Sequence, residues 1–274
     1  MVAAYRDLSM SLLNDLDGTI PADKIRGFSG RFDVIGDIAI VALPSTLRNY
    51  EQVIAGAILE RRHGIRTVIK KSADVAGDFR TATYTIIAGT GTLTTHHENG
   101  FSYRLDLNTC FFTPRLAHER MRVTGQVSVG ERVLVPFSGV GPFVIPTAAR
   151  GAAVVAIEQN PGACRWLEEN VRKNRVSDRV TVIMGDAFNP DLMPDGPFDR
   201  AIVPTPYGRD EILDLITSRI RHGGTLHLYT FKNRVQSEML EHEFEKTGYQ
   251  VLARRRCGNV APFVSRWAFD LLRR

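Results

Sequence analysis

The chain has 274 residues, 43% apolar and 24% charged. This is ordinary globular composition and argues against a disordered or fibrous chain. No apolar run approaches the roughly 20 residues of a membrane-spanning helix, and Arg6, Asp7, Asp15 and Asp17 argue against a signal peptide. Net charge is +5; residues 1–110 hold as many acidic as basic groups, so the whole excess lies further on and fits a polyanionic partner.

In chain order, RFDVIGDIAIVALP (31–44) predicts two strands around a Gly-Asp turn. NYEQVIAGAILERRHG (49–64) has helical spacing and ends at Gly64, a candidate cap. IRTVIKK (65–71), TATYTIIAGT (81–90) and FSYRLDL (101–107) read as strands. Residues 1–108 are therefore expected to form a small α+β domain with a mostly antiparallel sheet, serving RNA or substrate binding.

From Thr113-Pro114 the rhythm changes. TPRLAHERMRVTGQV predicts a helix with proline at its first position. VLVPF, VVAIE, VTVIM, RAIVP and GGTLHLYTF then alternate with helical segments, which predicts a parallel, doubly wound sheet over 109–274. YQVLARRR and SRWAFDLL have no helix between them and should pair antiparallel at one edge. This is the usual architecture of Rossmann-like class I S-adenosylmethionine-dependent methyltransferases. Cys110, Cys164 and Cys257 are far apart and form no CxxC or Cys/His cluster, so they are read as reduced cytosolic thiols, with no metal expected.

Gly139-Val140-Gly141 follows the strand VLVPF and lets the backbone approach a ligand. Val144 stands where a dinucleotide fingerprint has its third glycine, and Pro142 removes an N–H donor. Both disfavour NAD and suit a cofactor without phosphates. Glu158, 19 residues beyond Gly139, has the spacing to accept from two ribose hydroxyls; otherwise it is a solvated strand-end carboxylate. Asp186 in VIMGDAF has the place of an acceptor for an adenine amino group, with the Ala187 N–H donating to the ring; otherwise it is a helix N-cap. Val135 and Pro136 stand where many such proteins carry a strand-end acid, so the methionine end of the cofactor would be held otherwise.

The segments FDVIGDIAIVALP, GDFRT, FFTPRLAHERMRV, PFSGVGPFVIP, EQNPGACRWLEENVRKNRV and DRAIVPTPYG, in this order, resemble the archaeal and eukaryotic tRNA guanine-N1 methyltransferase family. The resemblance runs from about residue 30 to near the end, and PRLxxER before GVGPFxIP is its most specific part. The family's further N-terminal recognition domain is expected to be missing. A sister branch transfers the aminocarboxypropyl arm of the same cofactor in wyosine biosynthesis; GVGPF is spelled as in the methyltransferase branch, and aminocarboxypropyl transfer to a wyosine precursor, or a non-catalytic cofactor- or RNA-binding relative, are the alternatives.

The resemblance implies a cytoplasmic, monomeric enzyme acting on the anticodon loop of tRNA, with no membrane partner. Glu119 matches the general base that takes the proton of guanine N1; without the resemblance it reads as an ion pair with Arg115 or Arg122 at helical spacing. Arg80 matches an arginine that binds guanine O6. S-adenosylmethionine would be held by Arg120, Phe137, Gly139, Gly141, Glu158, Gln159, Asp186, Ala187 and Pro204. Phe111, Phe112 and Tyr207 are candidates for base stacking, the two phenylalanines equally for the core. Arg61, Arg62, His63, Arg66, Lys70, Lys71 and Arg254 to Arg256 are candidates for phosphate contacts. In VPTPYG (203–208) the family reads Asn-Leu-Pro, so Pro204 replaces a polar side chain and Pro206 keeps the proline.

Overall fold

The computed structural model describes residues 12–76 and 81–274. They form two compact units, one running to His97 and including Arg104–Pro114, the other comprising Glu98–Tyr103 and Arg115–Arg274.

The first unit holds a short helix α1 (Ala22–Ile25), a hairpin of β1 (Phe32–Ile35) and β2 (Ile38–Val41), helix α2 (Glu51–Arg61), β3 (Thr67–Ala76) and β4 (Thr81–Ala88). The hairpin turns at Gly36, φ +58°, where a left-handed backbone favours glycine. β2 pairs parallel to β3 because α2 crosses between them, while β1/β2 and β3/β4 are antiparallel. The sheet is thus mostly antiparallel around one parallel pair. Ile54, Ala55 and Ile58 of α2 are buried with Leu12, Leu47 and Val68, the i, i+4 spacing of a core-facing helical stripe. Arg62, not Gly64, caps α2. β5 (Leu93–Glu98) was not expected. It pairs with β6 (Phe101–Asp106) as a separate two-stranded sheet. Asn99 and Gly100, both at positive φ, form the Asn-Gly turn typical of tight hairpins.

The second unit contains a seven-stranded sheet. Its strands are β7 (Arg132–Pro136), β8 (Ala153–Glu158), β9 (Val180–Met184), β10 (Phe198–Val203), β11 (Ile220–Lys232), β12 (Tyr249–Ala261) and β13 (Val264–Arg273). Their order is β12-β13-β11-β10-β7-β8-β9. β9, β8, β7, β10 and β11 run parallel; β13 is antiparallel to β11 and to the edge strand β12. The helices are α3 (Ala117–Thr124), α4 (Val144–Ala149), α5 (Pro161–Lys173), α6 (Ile212–Thr217) and α7 (Arg234–Lys246). Pro114–Leu116 is a 3-10 turn, so proline opens the helical segment one turn ahead of α3. Asn160 caps α5 by accepting from the N–H groups of Gly162 and Ala163, with Pro161 at N1, which meets the unpaired donors of a first turn. Leu134, Ile157, Ala201, Val203, Leu226 and Phe269 are fully buried. The central strands β7 and β10 carry near-continuous buried apolar runs, as parallel strands inside a doubly wound sheet do.

Candidate active site

The carboxyl ends of β7, β8, β9 and β10 bring the predicted cofactor residues other than Arg120 to one edge of the sheet, where a doubly wound fold binds ligands. After β7 the chain turns through Phe137 (φ +56°), Gly139 (+55°) and Gly141 (+99°). A Cβ on Gly139 meets nothing within 4 Å, whereas one on Gly141 would lie 2.7 Å from Leu167 Cδ1. Gly139 thus faces open space, and Gly141 packs on α5. The fully buried Asn170 of α5 donates to the Val140 carbonyl at 3.1 Å and pins the loop.

Glu158 is not a solvated strand end. Its Oε2 accepts from Gly139 N–H at 2.7 Å and its Oε1 from Asn160 N–H at 2.8 Å. Burial pushes its carboxyl above the ordinary value, against the backbone N–H groups of Asn160, Gly139 and Gln159, which hold it down. Each oxygen has a second lone pair, the capacity two ribose hydroxyls require. Asp186 caps a turn rather than a helix: its Oδ1 accepts from Phe188 N–H at 3.0 Å. Ala187 beside it is buried. Phe188, which the sequence reading missed, lies 5.9 Å from the Phe137 ring, and Arg209 stacks 4.0 Å over it.

The loop after β10 is closed on itself. Thr205 is buried, and its N–H and hydroxyl both donate to the Val203 carbonyl, at 2.8 and 3.3 Å. Pro204 adds no donor. Tyr207 is the loop's exposed polar side chain, its ring 5.5 Å from Phe231, over which Arg266 lies at 4.9 Å.

Glu119 is buried on α3, unlike a surface ion pair. Arg122 Nε donates to its Oε2 at 2.9 Å and Nη2 to its Oε1 at 2.6 Å; Tyr229 of β11 donates to Oε1 at 3.1 Å. Burial pushes the Tyr229 hydroxyl well above its ordinary range, so it serves as a neutral donor. The Tyr229 ring packs 5.4 Å from Phe143, the residue closing the glycine loop. Beyond Arg122 the network continues through Asp270, His227, Arg200 and Glu131, all but the last buried.

Other expectations are redistributed. Arg120 is 2% exposed and donates from Nε and Nη2 to Glu98, with Nε–Oε1 at 2.7 Å; its guanidinium ties α3 to Glu98 within the second unit. Phe112 is buried with its ring 5.0 Å from His96, while Phe111 is exposed. Arg61, Arg66 and Lys70 are held by Asp15, Asp37 and Glu51, and Arg254 faces Glu238 and Glu241. These pairs reduce the charge available to a phosphate. Arg80 lies outside the described residues. Among the described residues no helix is long and apolar enough to cross a membrane, and no group of His, Cys, Asp and Glu is arranged for a metal ion.

A parallel sheet reversed at its last strand, a glycine loop after the first and a paired acid after the second define a Rossmann-like methyltransferase domain. The match of residues 94–252 to the TRM5/TYW2 methyltransferase domain places the chain in that family. Residues 12–92 match the TYW2 N-terminal domain. The tRNA (guanine(37)-N(1))-methyltransferase Trm5b of Pyrococcus abyssi is 38% identical over 77% of this chain and 63% of its own length. Its crystal structure superposes with a TM-score of 0.82, covering 92% of this chain and 78% of that one. The tRNA 4-demethylwyosine(37)-methyltransferase Taw21 of Saccharolobus solfataricus is 34% identical over 73% of this chain and 77% of its own. The structure of Pyrococcus horikoshii TYW2 in complex with MeSAdo is 27% identical with a TM-score of 0.77, covering 96% of this chain and 98% of that one. This chain therefore spans 63% of the Trm5b relative's length.

Proposed function

We propose that this chain transfers the methyl group of S-adenosylmethionine to N1 of the guanine at position 37 of tRNA, beside the anticodon. The observation that carries the reading is Tyr229. Its hydroxyl donates to Glu119 and its ring packs on Phe143, so one side chain ties the candidate base to the cofactor loop. The cradle fits the cofactor chemically: Gly139 faces open space, Glu158 has acceptor capacity for ribose, and Pro142 suits a ligand without phosphates.

S-adenosylmethionine, when bound, supplies a methyl group on a positively charged sulfur. Guanine N1 carries a proton at neutral pH and needs a base before it can attack. Glu119 takes that proton, with the Arg122 fork and the Tyr229 hydroxyl fixing the direction of its oxygens. The resemblance assigns Arg80 to guanine O6, where an arginine stabilises the negative charge that develops. Phe137, Gly139, Gly141, Glu158, Gln159, Asp186, Ala187 and Pro204 form the cofactor cradle, and Arg120 holds α3 in place. Tyr207, backed by Phe231 and Arg266, offers a stacking face to the extruded base. The enzyme is read as a cytoplasmic monomer, with the first unit as its RNA-binding part.

A second reading, methyl transfer to 4-demethylwyosine at the same position, is favoured by the likeness to Taw21. One experiment separates the two. The protein is incubated with tRNA bearing either guanine or 4-demethylwyosine at position 37 and with cofactor labelled separately in its methyl and carboxypropyl parts. Nucleosides are then resolved by mass spectrometry. Methyl label in 1-methylguanosine is expected. Methyl label on the wyosine base alone supports the second reading. Carboxypropyl label, or no label in either tRNA, overturns both.

A further inference from the structure

Arg122 is divided between two carboxylates. Nε and Nη2 face Glu119, while Nη1 donates to Asp270 Oδ2 at 2.5 Å and Nη2 also donates to Asp270 Oδ1 at 3.0 Å. Nη2 is shared, so neither carboxylate has the guanidinium to itself. Asp270 is in turn fixed from behind. His227 Nδ1–H donates to its Oδ1 at 2.7 Å, and Arg200 Nη1 donates to His227 Nε2 at 2.7 Å. Arginine only donates and a carboxylate only accepts, so this sandwich sets the neutral Nδ1–H tautomer of His227. Arg200 is anchored by Glu131 at 2.7 and 3.0 Å and by the Gln126 carbonyl at 2.9 Å. The row thus runs without a break from Glu131, just ahead of β7, to Glu119.

We infer that Asp270 is a positioning residue for Glu119: it draws half of Arg122 away, so that the guanidinium orients the base without committing its full charge to it. The inference rests on the reading of Glu119 as the base. A base facing an undivided cation gives up basicity, because an opposite charge at contact distance favours its charged form. A second carboxylate behind the cation offsets that effect while leaving both hydrogen bonds in place. Facing Glu119 are Arg122 of α3, Tyr229 of β11 and Cys257 of β12; Asp270 of β13 and His227 of β11 lie beyond Arg122, Arg266 of β13 faces Cys257, and Arg200 of β10 stands behind His227. Burial first, and then Glu119 itself, push the Cys257 thiol up to about 11, so it is neutral at working pH and leaves Asp270 as the second anion on Arg122.

The test is the pH profile of single-turnover methyl transfer at saturating tRNA and cofactor, alongside melting temperature and cofactor affinity. In Asp270→Asn the acid limb of the profile moves to lower pH, by about half a unit or more. The plateau rate falls several-fold, and cofactor affinity holds. Asp270→Glu restores the limb. An acid limb that stays in place while rate and melting temperature fall shows a merely structural residue and overturns the inference. Asp270→Ser, neutral and still able to accept from His227, repeats the test should the asparagine variant melt below the assay temperature. Glu119→Gln distinguishes the two failures. Wild-type turnover in that variant sinks the base assignment itself, whereas a dead Glu119→Gln with an unmoved limb in Asp270→Asn and Asp270→Ser sinks only the positioning role.

Discussion

Gly139 and Gly141 share one loop and a left-handed backbone, yet they answer to different neighbours. At Gly141 (φ +99°) a methyl would stand 2.7 Å from Leu167 Cδ1 and 3.1 Å from Ile145 Cδ1. Gly141→Ala therefore adds overpacking to backbone strain. It should cost about 2–4 kcal/mol, the sum of a left-handed alanine and a crowded core contact. Gly139→Ala (φ +55°) meets open space and should cost only about 1 kcal/mol in stability, but its methyl enters the ligand side of the loop. Urea melts should rank Gly141→Ala below Gly139→Ala, while calorimetry with S-adenosylmethionine should show weakened binding in Gly139→Ala. Equal melts for the two would contradict the packing argument. Gly139, Gly141, Glu158 and Asp186 were legible in the sequence because each sits a fixed step from a strand end. Phe188, Tyr229 and Asn170 were not, because their partners lie far away in the chain and apolar periodicity assigns an aromatic to a core without saying what its edge touches.

At the scale of elements, α3 depends on its ion pairs more than on its own propensity. It is only eight residues long, Ala117–Thr124, shorter than any helix expected to be stable alone. Its Arg120–Glu98 pair has side chains 2% and 6% exposed. Removing one partner takes the bidentate counter-charge from a buried group, a loss of about 3–5 kcal/mol for a buried pair. Arg120→Met should lower the melting temperature strongly, and Glu98→Gln should recover part of that loss in the double variant. A double variant as unstable as the sum of the singles would contradict a direct pair. The alternation of strands and helices from residue 113 onward fixed the order of elements, and the missing helix between the last two strands gave the antiparallel edge. β5 was missed because LTTHHE lacks a clean apolar alternation, although Asn99-Gly100 after it is a hairpin signal. The β2–β3 pairing is parallel because α2 between them is the crossover that such pairing needs.

Across the whole molecule, the row from Glu131 to Glu119 makes stability respond to acid in two stages. Burial holds the His227 imidazole below its ordinary value, against the hydrogen bond to Asp270 that raises it. In the unfolded chain the same group titrates at about 6.5. Above that pH both states are neutral and the contribution is complete. As pH falls below it, the unfolded imidazole takes a proton that the folded one resists, so stability declines towards the folded value. Burial pushes the Asp270 carboxyl up, but hydrogen bonds from His227 and Arg122 hold it well below the usual carboxylate range. Its contribution is complete above about 3.9, the unfolded value, and is lost as pH drops from there through the folded value. Urea melts from pH 7.5 to 3.5 should therefore show a first decline beginning near 6.5 and a steeper one below about 4. His227→Gln keeps a donor for Asp270 and removes the titrating ring, so it should flatten the first decline and leave the second. A variant that loses stability between pH 6.5 and 5 as steeply as the parent would show that the acid response arises in other groups and that the row is electrically silent in that range.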